Sequence, residues 1–423
     1  MKGEIHMSKS IFRMLIVIIV IMFSLSAGAC RKRDDDDDGT ITITIWEDEN
    51  NIAYVRDLLD NFISRDYVSV YKNAVTVRFE IIAQTEQKAI ENLGRLGPTG
   101  NGPDVFAFVH NQIGAAMNSK WIAPATYHDA VRANHLDSAV DAVSLDGVIY
   151  GYPSTGESMV LMYDASQISD DAVRSIEGIH SEGKKISWQL HDDAYYSFSL
   201  FTDSNLFGPD FDDQTILDLD TEQTVRNLTY VYGQNSVPRQ TVISETPDTS
   251  LDSVRVGESV GVMTVPYLWN QFSEIVTANG GTPKVTTLPT IHVDGEDITL
   301  RPYAGYKAYG VSAFTEHPHL SQAVAHYLST AESQIRRVYE TRNLPTIDTS
   351  PELTEMVSGM VEPTVYLAQL DDAVAMPNIV RMEDMWAPGE TTMTWFFNNP
   401  SQVNEAAVRS KLQEWETTVL SKN

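Results

Sequence analysis

Between Gly102-Pro103-Asp104 and His110-Asn111-Gln112 lies an unbroken apolar run, Val-Phe-Ala-Phe-Val at 105–109. Five consecutive apolar residues leave no polar face. Such a segment fits a strand covered on both sides, as in a parallel sheet layered between helices. The Gly-Pro pair turns the chain into the strand and the polar triplet stops it. A helix-like segment with small side chains follows at 113–119. Three polar side chains therefore stand at the carboxyl end of a central strand, where open α/β sheets bind their ligands.

The flanking pattern supplies the rest of that sheet. Residues 40–46 alternate Thr and Ile and run into the polar loop 47–51, which predicts a first strand. Val55, Leu58, Leu59, Phe62 and Ile63 share one helical face. A second strand is expected over 75–82, and a second helix over 86–95, stopped by Gly97-Pro98. Strand, helix, strand, helix, strand implies parallel pairing with right-handed crossovers. Asp146-Gly147 marks a hairpin. Beyond it strands are expected over 159–163, 260–265, 285–288 and 309–314. Helices are expected over 221–232, 266–278, 320–339, 353–370 and 403–420. The fold class is α/β, and 423 residues are enough for two domains.

The formal net charge is −28. A surface this acidic excludes nucleic acid as a partner, because phosphates need basic side chains. The single cysteine, Cys30, rules out an intrachain disulfide. It stands after Lys9 and Arg13, an apolar core at 14–23 and the small residues Ser26-Ala27-Gly28-Ala29. These are the parts of a secretory signal, and the core is shorter than the roughly 20 residues of a membrane span. A cysteine in that place resembles a bacterial lipobox, with Ala27 where leucine is usual. Residues 1–29 are thus expected to be a lipoprotein signal peptide and Cys30 the lipid anchor. Residues 30–39, with Asp34 to Asp38, form an acidic tether. Asp34, Asp36 and Asp38 begin like a calcium loop, but the position that needs a bidentate Glu is Ile45.

The stretch 102–114 resembles the sugar-binding subunits of ABC importers, above all the maltose/maltodextrin-binding protein family. Further matches follow in order: Thr44-Ile45-Trp46, Tyr152-Pro153 with Glu157, Gly257-Glu258 before Met263-Thr264, Leu288-Pro289-Thr290, and Met376-Pro377-Asn378-Ile379 with Trp386. The resemblance implies a two-lobed, periplasmic-binding-protein-like fold with a ligand cleft. One lobe would take residues 40–155 and 308–356, the other 156–307 and 357–423. It also implies a monomer without cofactor or metal, an oligosaccharide ligand of the maltodextrin type, and ABC permease subunits as partners at the outer face of the cell membrane.

A sugar offers C–H faces to aromatic rings and hydroxyls to donors and acceptors together. The positions implied by the resemblance have that mixture. Trp46, Phe108, Tyr195, Tyr267, Trp269 and Trp386 supply rings. Glu157 and Asp193 supply carboxylates. Asn50-Asn51 and Asn111-Gln112 replace two acidic–basic pairs, and Glu390 replaces an arginine. Charged hydrogen bonds are about twice as strong as neutral ones, so these changes bear on which glycan is bound. A carboxylate-rich cleft would also suit a cation such as a polyamine.

Signals for catalysis are weak. Gly257-Glu258-Ser259-Val260-Gly261 fits a hydrolase elbow, but a helix is expected before it and a strand after it, the reverse of that motif. Asp192-Asp193 and Asp371-Asp372 are chain neighbours, whereas glycosidases hold their carboxyls on separate elements. His317-Pro318-His319 has no carboxylate or cysteine at metal-ligand spacing. An extracytoplasmic glycosidase stays as the enzyme alternative.

Overall fold

The computed structural model describes residues 40–63, 76–209, 211–245, 249 and 251–422. The signal peptide, Cys30 and the acidic tether lie outside the described residues.

Two mixed sheets carry the fold. The first contains β1 (Ile41–Glu47), β2 (Val77–Ala83), β3 (Val105–Val109), β4 (Ile122–Ala123) and β5 (Tyr152–Glu157). The second contains β6 (Val160–Asp164), β7 (Ile186–Trp188), β8 (Val242–Ile243), β9 (Gly261–Thr264) and β10 (Pro283–Thr286). Two later strands, β11 (Tyr303–Ser312) and β12 (Val374–Ala375), return to the first sheet. Its order is β12-β11-β3-β1-β2, with β4 and β5 also on β11; that of the second is β8-β7-β9-β6-β10. As the alternation predicts, β1 pairs parallel with β2 and β3, and β7 parallel with β8 and β9.

The apolar run occupies the centre of the first sheet. Val105, Phe106 and Phe108 are fully buried. The turn before it is a staple. Asp104 is fully buried, and its carboxylate accepts the Thr44 N–H at 2.8 Å and the Thr315 hydroxyl at 2.6 Å. Gly102 is required by close approach, because a Cβ there would meet Gly97 Cα at 2.8 Å.

Among the described residues, three stretches lead from one packed core to another. Tyr152 packs in the core of the first sheet, while Met159 packs in the core of the second. β11 runs back, with Tyr303 in the second core and Ala308 to Val311 in the first. Leu353 packs beside Val338, whereas Tyr366 packs with Val160 and Phe272 under the second sheet.

Three expected elements differ. The strand expected at 309–314 starts at Tyr303, because β12 pairs with Tyr303 and Ala304 and β5 with Gly305 to Tyr309. The helix expected over 320–339 is two, Pro318–Ser329 and Ala331–Thr341. The Thr330 and Ser333 hydroxyls both donate to the Tyr327 carbonyl and so compete with the helix ladder at the break. The helix expected over 353–370 is also two, Pro351–Ser358 and Val361–Asp371. Pro363 lies in the first turn of the second, where no intrahelical N–H is needed.

Candidate functional site

The carboxyl ends of β1, β2 and β3 deliver residues 48–51, Glu86 and residues 110–112; those of β7 and β9 deliver residues 189–195 and Tyr267. The two groups face each other across β5 and β11. The charges of Lys307, Glu157, Asp48 and Glu86 all act on the Tyr267 phenol, after its burial, which raises its pKa. Those of Glu157 and Asp193 act on Tyr195. Side chains from both sheets thus share one electrostatic environment.

At its base Lys307 Nζ lies 2.8 Å from Glu86 Oε2 and 3.5 Å from Glu157 Oε2, with all three side chains buried. Burial alone would lower the lysine pKa, but the two carboxylates hold it above the usual lysine value. Burial raises the Glu157 pKa, against the pull of Lys307. Glu157 Oε2 and the Tyr195 hydroxyl are buried without a hydrogen-bond partner, as are both amide atoms of Gln189 at the end of β7. Buried polar atoms are normally paired. Tyr267 is 43% exposed and has Lys307 Nζ 5.3 Å from its ring centre.

The aromatic wall continues through Tyr195, whose ring lies 5.9 Å from Tyr303, to Trp386, half-buried and edge-on to Tyr303 at 6.3 Å. Asp193 accepts the Tyr195 N–H at 2.8 Å and caps the short helix Ala194–Ser197. Its pKa is pushed up to about 6 by burial, opposed by that hydrogen bond and aided by Asp192 and Glu390. Glu390 is exposed, one turn along the helix Trp386–Asn398.

Three of the expected rings are corrected. Phe108 and Trp46 lie in the core of the first lobe, 0% and 3% exposed, because the central strands are covered on both faces. Trp269 is 7% exposed and packs 6.2 Å from Phe272, on the inner face of its helix. None of the three offers a face to a cleft.

The amides are mostly engaged. Asn50 Nδ2 donates to Asp48 and Asn51 Nδ2 to Glu47, both at 3.0 Å, shaping their own loop. Asn111 Nδ2 donates to Glu383 at 3.3 Å. Gln112 Nε2 donates to the Gln87 carbonyl at 2.7 Å, leaving its buried Oε1 without a partner. Sequence reasoning missed Lys307, Glu86, Asp48 and Gln189 as members of this site. One signal existed: Lys307 is the only charged residue in the ten-residue strand Tyr303–Ser312.

Ser259 is buried, with its Oγ 2.8 Å from Ser253 Oγ and strand Gly261–Thr264 after it, so it is not a nucleophile elbow. Among the described residues, Asp218, Asp220 and Glu416 bring carboxylate oxygens within 4.8 Å of one another. The Leu219 and Asp220 N–H groups already serve Glu416, and Arg409 and Gln413 serve Asp220. A depression lined by Phe198, Phe201, Phe211 and Arg301 lies elsewhere and holds no orphaned polar atom.

Residues 66–361 match the family described as bacterial extracellular solute-binding protein. The chain belongs to that family. It is 23% identical over 371 residues to the galactooligosaccharide-binding protein of Bacillus subtilis (strain 168), covering 82% of this chain and 83% of the relative. The maltodextrin-binding protein MdxE of the same organism is 22% identical over 341 residues, 76% of this chain and 78% of the relative. Among solved structures, the maltodextrin-binding protein MalE1 of L. casei, without ligand, superposes with a TM-score of 0.77 at 16% identity, covering 90% of this chain and all of that one. A cyclo/maltodextrin-binding protein complexed with maltotetraose superposes at 0.71, with 21% identity and 93% and 100% coverage. The fold of this solute-binding protein is therefore the two-lobed fold of those structures. As the family description implies, it works outside the cytoplasm. No helix among the described residues is long and apolar enough to cross a membrane.

Proposed function

We propose that this solute-binding protein captures a neutral oligosaccharide, of the maltodextrin type, between its lobes and hands it to the permease of an ABC importer. The observation that carries the reading is the pairing of two under-used buried polar atoms, Glu157 Oε2 with only Lys307 at 3.5 Å and the Tyr195 hydroxyl with no hydrogen-bond partner, with exposed or half-exposed rings, Tyr267 and Trp386. A sugar satisfies the first and covers the second. The names of the Bacillus relatives support the same ligand class. The lobes would comprise residues 40–155 with 308–356 and residues 156–307 with 357–423, hinged at the three passages between cores. Lipid on Cys30 would tether the protein to the outer face of the membrane. The protein would bind without chemistry, in keeping with the buried position of Ser259.

A thermal-shift screen tests this, because a ligand that binds the native state raises the melting temperature by mass action. Maltotriose or another maltodextrin should raise it and be recovered intact. A shift produced only by spermidine, or released monosaccharide, would overturn the reading. Spermidine belongs in the screen because Asp48, Glu86, Glu157 and Asp193 outnumber Lys307.

A further inference from the structure

We infer that Lys307 is a specificity-determining residue: with Glu157 it reads one hydroxyl of the bound sugar. The inference rests on the carbohydrate reading above and deepens it.

Charge balance points to this first. One ammonium stands between two buried carboxylates, so the trio carries an unbalanced negative charge in a place where charge is costly. A purely structural ion pair would need only Glu86, which already lies at 2.8 Å. Glu157 lies at 3.5 Å, too long for a good hydrogen bond, and its Oε2 has no other partner. An ammonium has three donors. One goes to Glu86, and Nζ also lies 5.3 Å from the centre of the partly exposed Tyr267 ring. A hydroxyl lodged beside Tyr267 can donate to Glu157 Oε2 and accept from Lys307 Nζ. Both bonds would be charge-assisted, and Tyr195 would offer a third group with no partner of its own.

Position supports the same role. Lys307 lies on β11 opposite Val109 of β3 and Thr155 of β5, and Glu86 opens the helix Glu86–Leu96 after β2. The ammonium thus sits at a passage between the lobes, tied to Glu86 of the first, while Tyr267 comes from the second. The side-chain amides at 50, 51, 111 and 112 already donate to Asp48, Glu47, Glu383 and Gln87, whereas Lys307 is a cation placed beside the Tyr267 ring.

Lys307→Met alone would leave two buried carboxylates uncompensated, so the test uses Lys307→Met with Glu86→Gln, which keeps the net charge of the trio. Lys307→Arg serves as the conservative variant. Calorimetric titration is run with maltotriose and with its monodeoxy analogues. The wild type should lose roughly tenfold or more in affinity for one analogue, since a polar site rejects a ligand lacking its hydroxyl. The folded double variant should bind maltotriose at least tenfold more weakly and be indifferent to that deoxygenation, while Lys307→Arg restores part of the discrimination. A folded double variant that keeps both affinity and discrimination overturns the inference and leaves Lys307 a structural tie. A wild type that binds no maltodextrin is a different failure, that of the carbohydrate reading itself. If such a wild type binds spermidine, more tightly still in the double variant, the cluster is a cation site.

Discussion

His110 Nε2 lies 3.0 Å from the carbonyl oxygen of Met376, and its Nδ1 lies 3.1 Å from both the backbone nitrogen and the carbonyl oxygen of Tyr306. Burial favours the neutral ring, in which an N–H at Nε2 donates to the Met376 carbonyl and Nδ1 is left to accept the Tyr306 N–H. It ties the end of β3 to β11 and to the segment after β12.

Replacing His110 by Ala should cost about 2–4 kcal/mol, because it orphans two buried backbone groups and leaves a cavity. His110→Gln, able to donate and accept, should cost less. Burial lowers the His110 pKa against the pull of both backbone contacts. The unfolded chain thus binds the proton that the native one refuses. The stability this histidine contributes is present above its unfolded pKa of 6.5 and is lost as the pH falls below it. Denaturant unfolding at pH 5 and pH 7.5 should show a shallower acid loss for His110→Gln. Some loss will persist, because His135 is also buried and its pKa lowered to about 4. Identical acid profiles in the two proteins would exclude the neutral tie.

Trp386 opens the helix Trp386–Asn398, and its half-buried ring can cover one sugar face. Losing that contact should cost about 1.5–3 kcal/mol, or roughly a ten- to hundredfold drop in affinity. Gln112→Ala should cost less, since its amide N–H already serves Gln87. Titration of both variants with maltotriose ranks them, and unchanged affinity in folded Trp386→Ala would place the ring outside the site.

Asp193 carries its own pH signature. Its pKa rises from 3.8 to about 6 on folding, so the native state holds that proton more tightly than the unfolded chain. Stability from this group falls as pH rises through that window, by on the order of 1–2 kcal/mol after allowance for partial exposure. Sugar hydroxyls donate to the ionised carboxylate, so maltotriose affinity should rise from about pH 5 to pH 7. Asp193→Asn should flatten both trends. A wild-type affinity that falls across the window would contradict this role.

Lipid attachment is tested at Cys30, which follows a short apolar core and four small residues. Fractionation of cells carrying Cys30→Ser should find the protein in the medium or soluble fraction. A variant that still sediments with membranes would show that another segment anchors it.

The apolar run 105–109 needs cover on both faces in any arrangement, so its central place in a sheet and its parallel pairing with β1 were legible from the sequence, whereas its antiparallel pairing with β11 was not. The boundaries of β1 and β3 and of the helix Glu86–Leu96 followed from local patterning. Which aromatic faces a cleft could not be read that way. Phe108 and Trp46 have the residue type of a stacking platform, but tertiary packing turned both into the first lobe's core, while Tyr267 was left open. The Lys307–Glu86–Glu157 trio was equally invisible, since its members stand 71 to 221 positions apart along the chain. Local propensity reaches a few residues in either direction. Only the assembly of β2, β5 and β11 into one sheet brings those three charges together and makes a buried lysine tolerable.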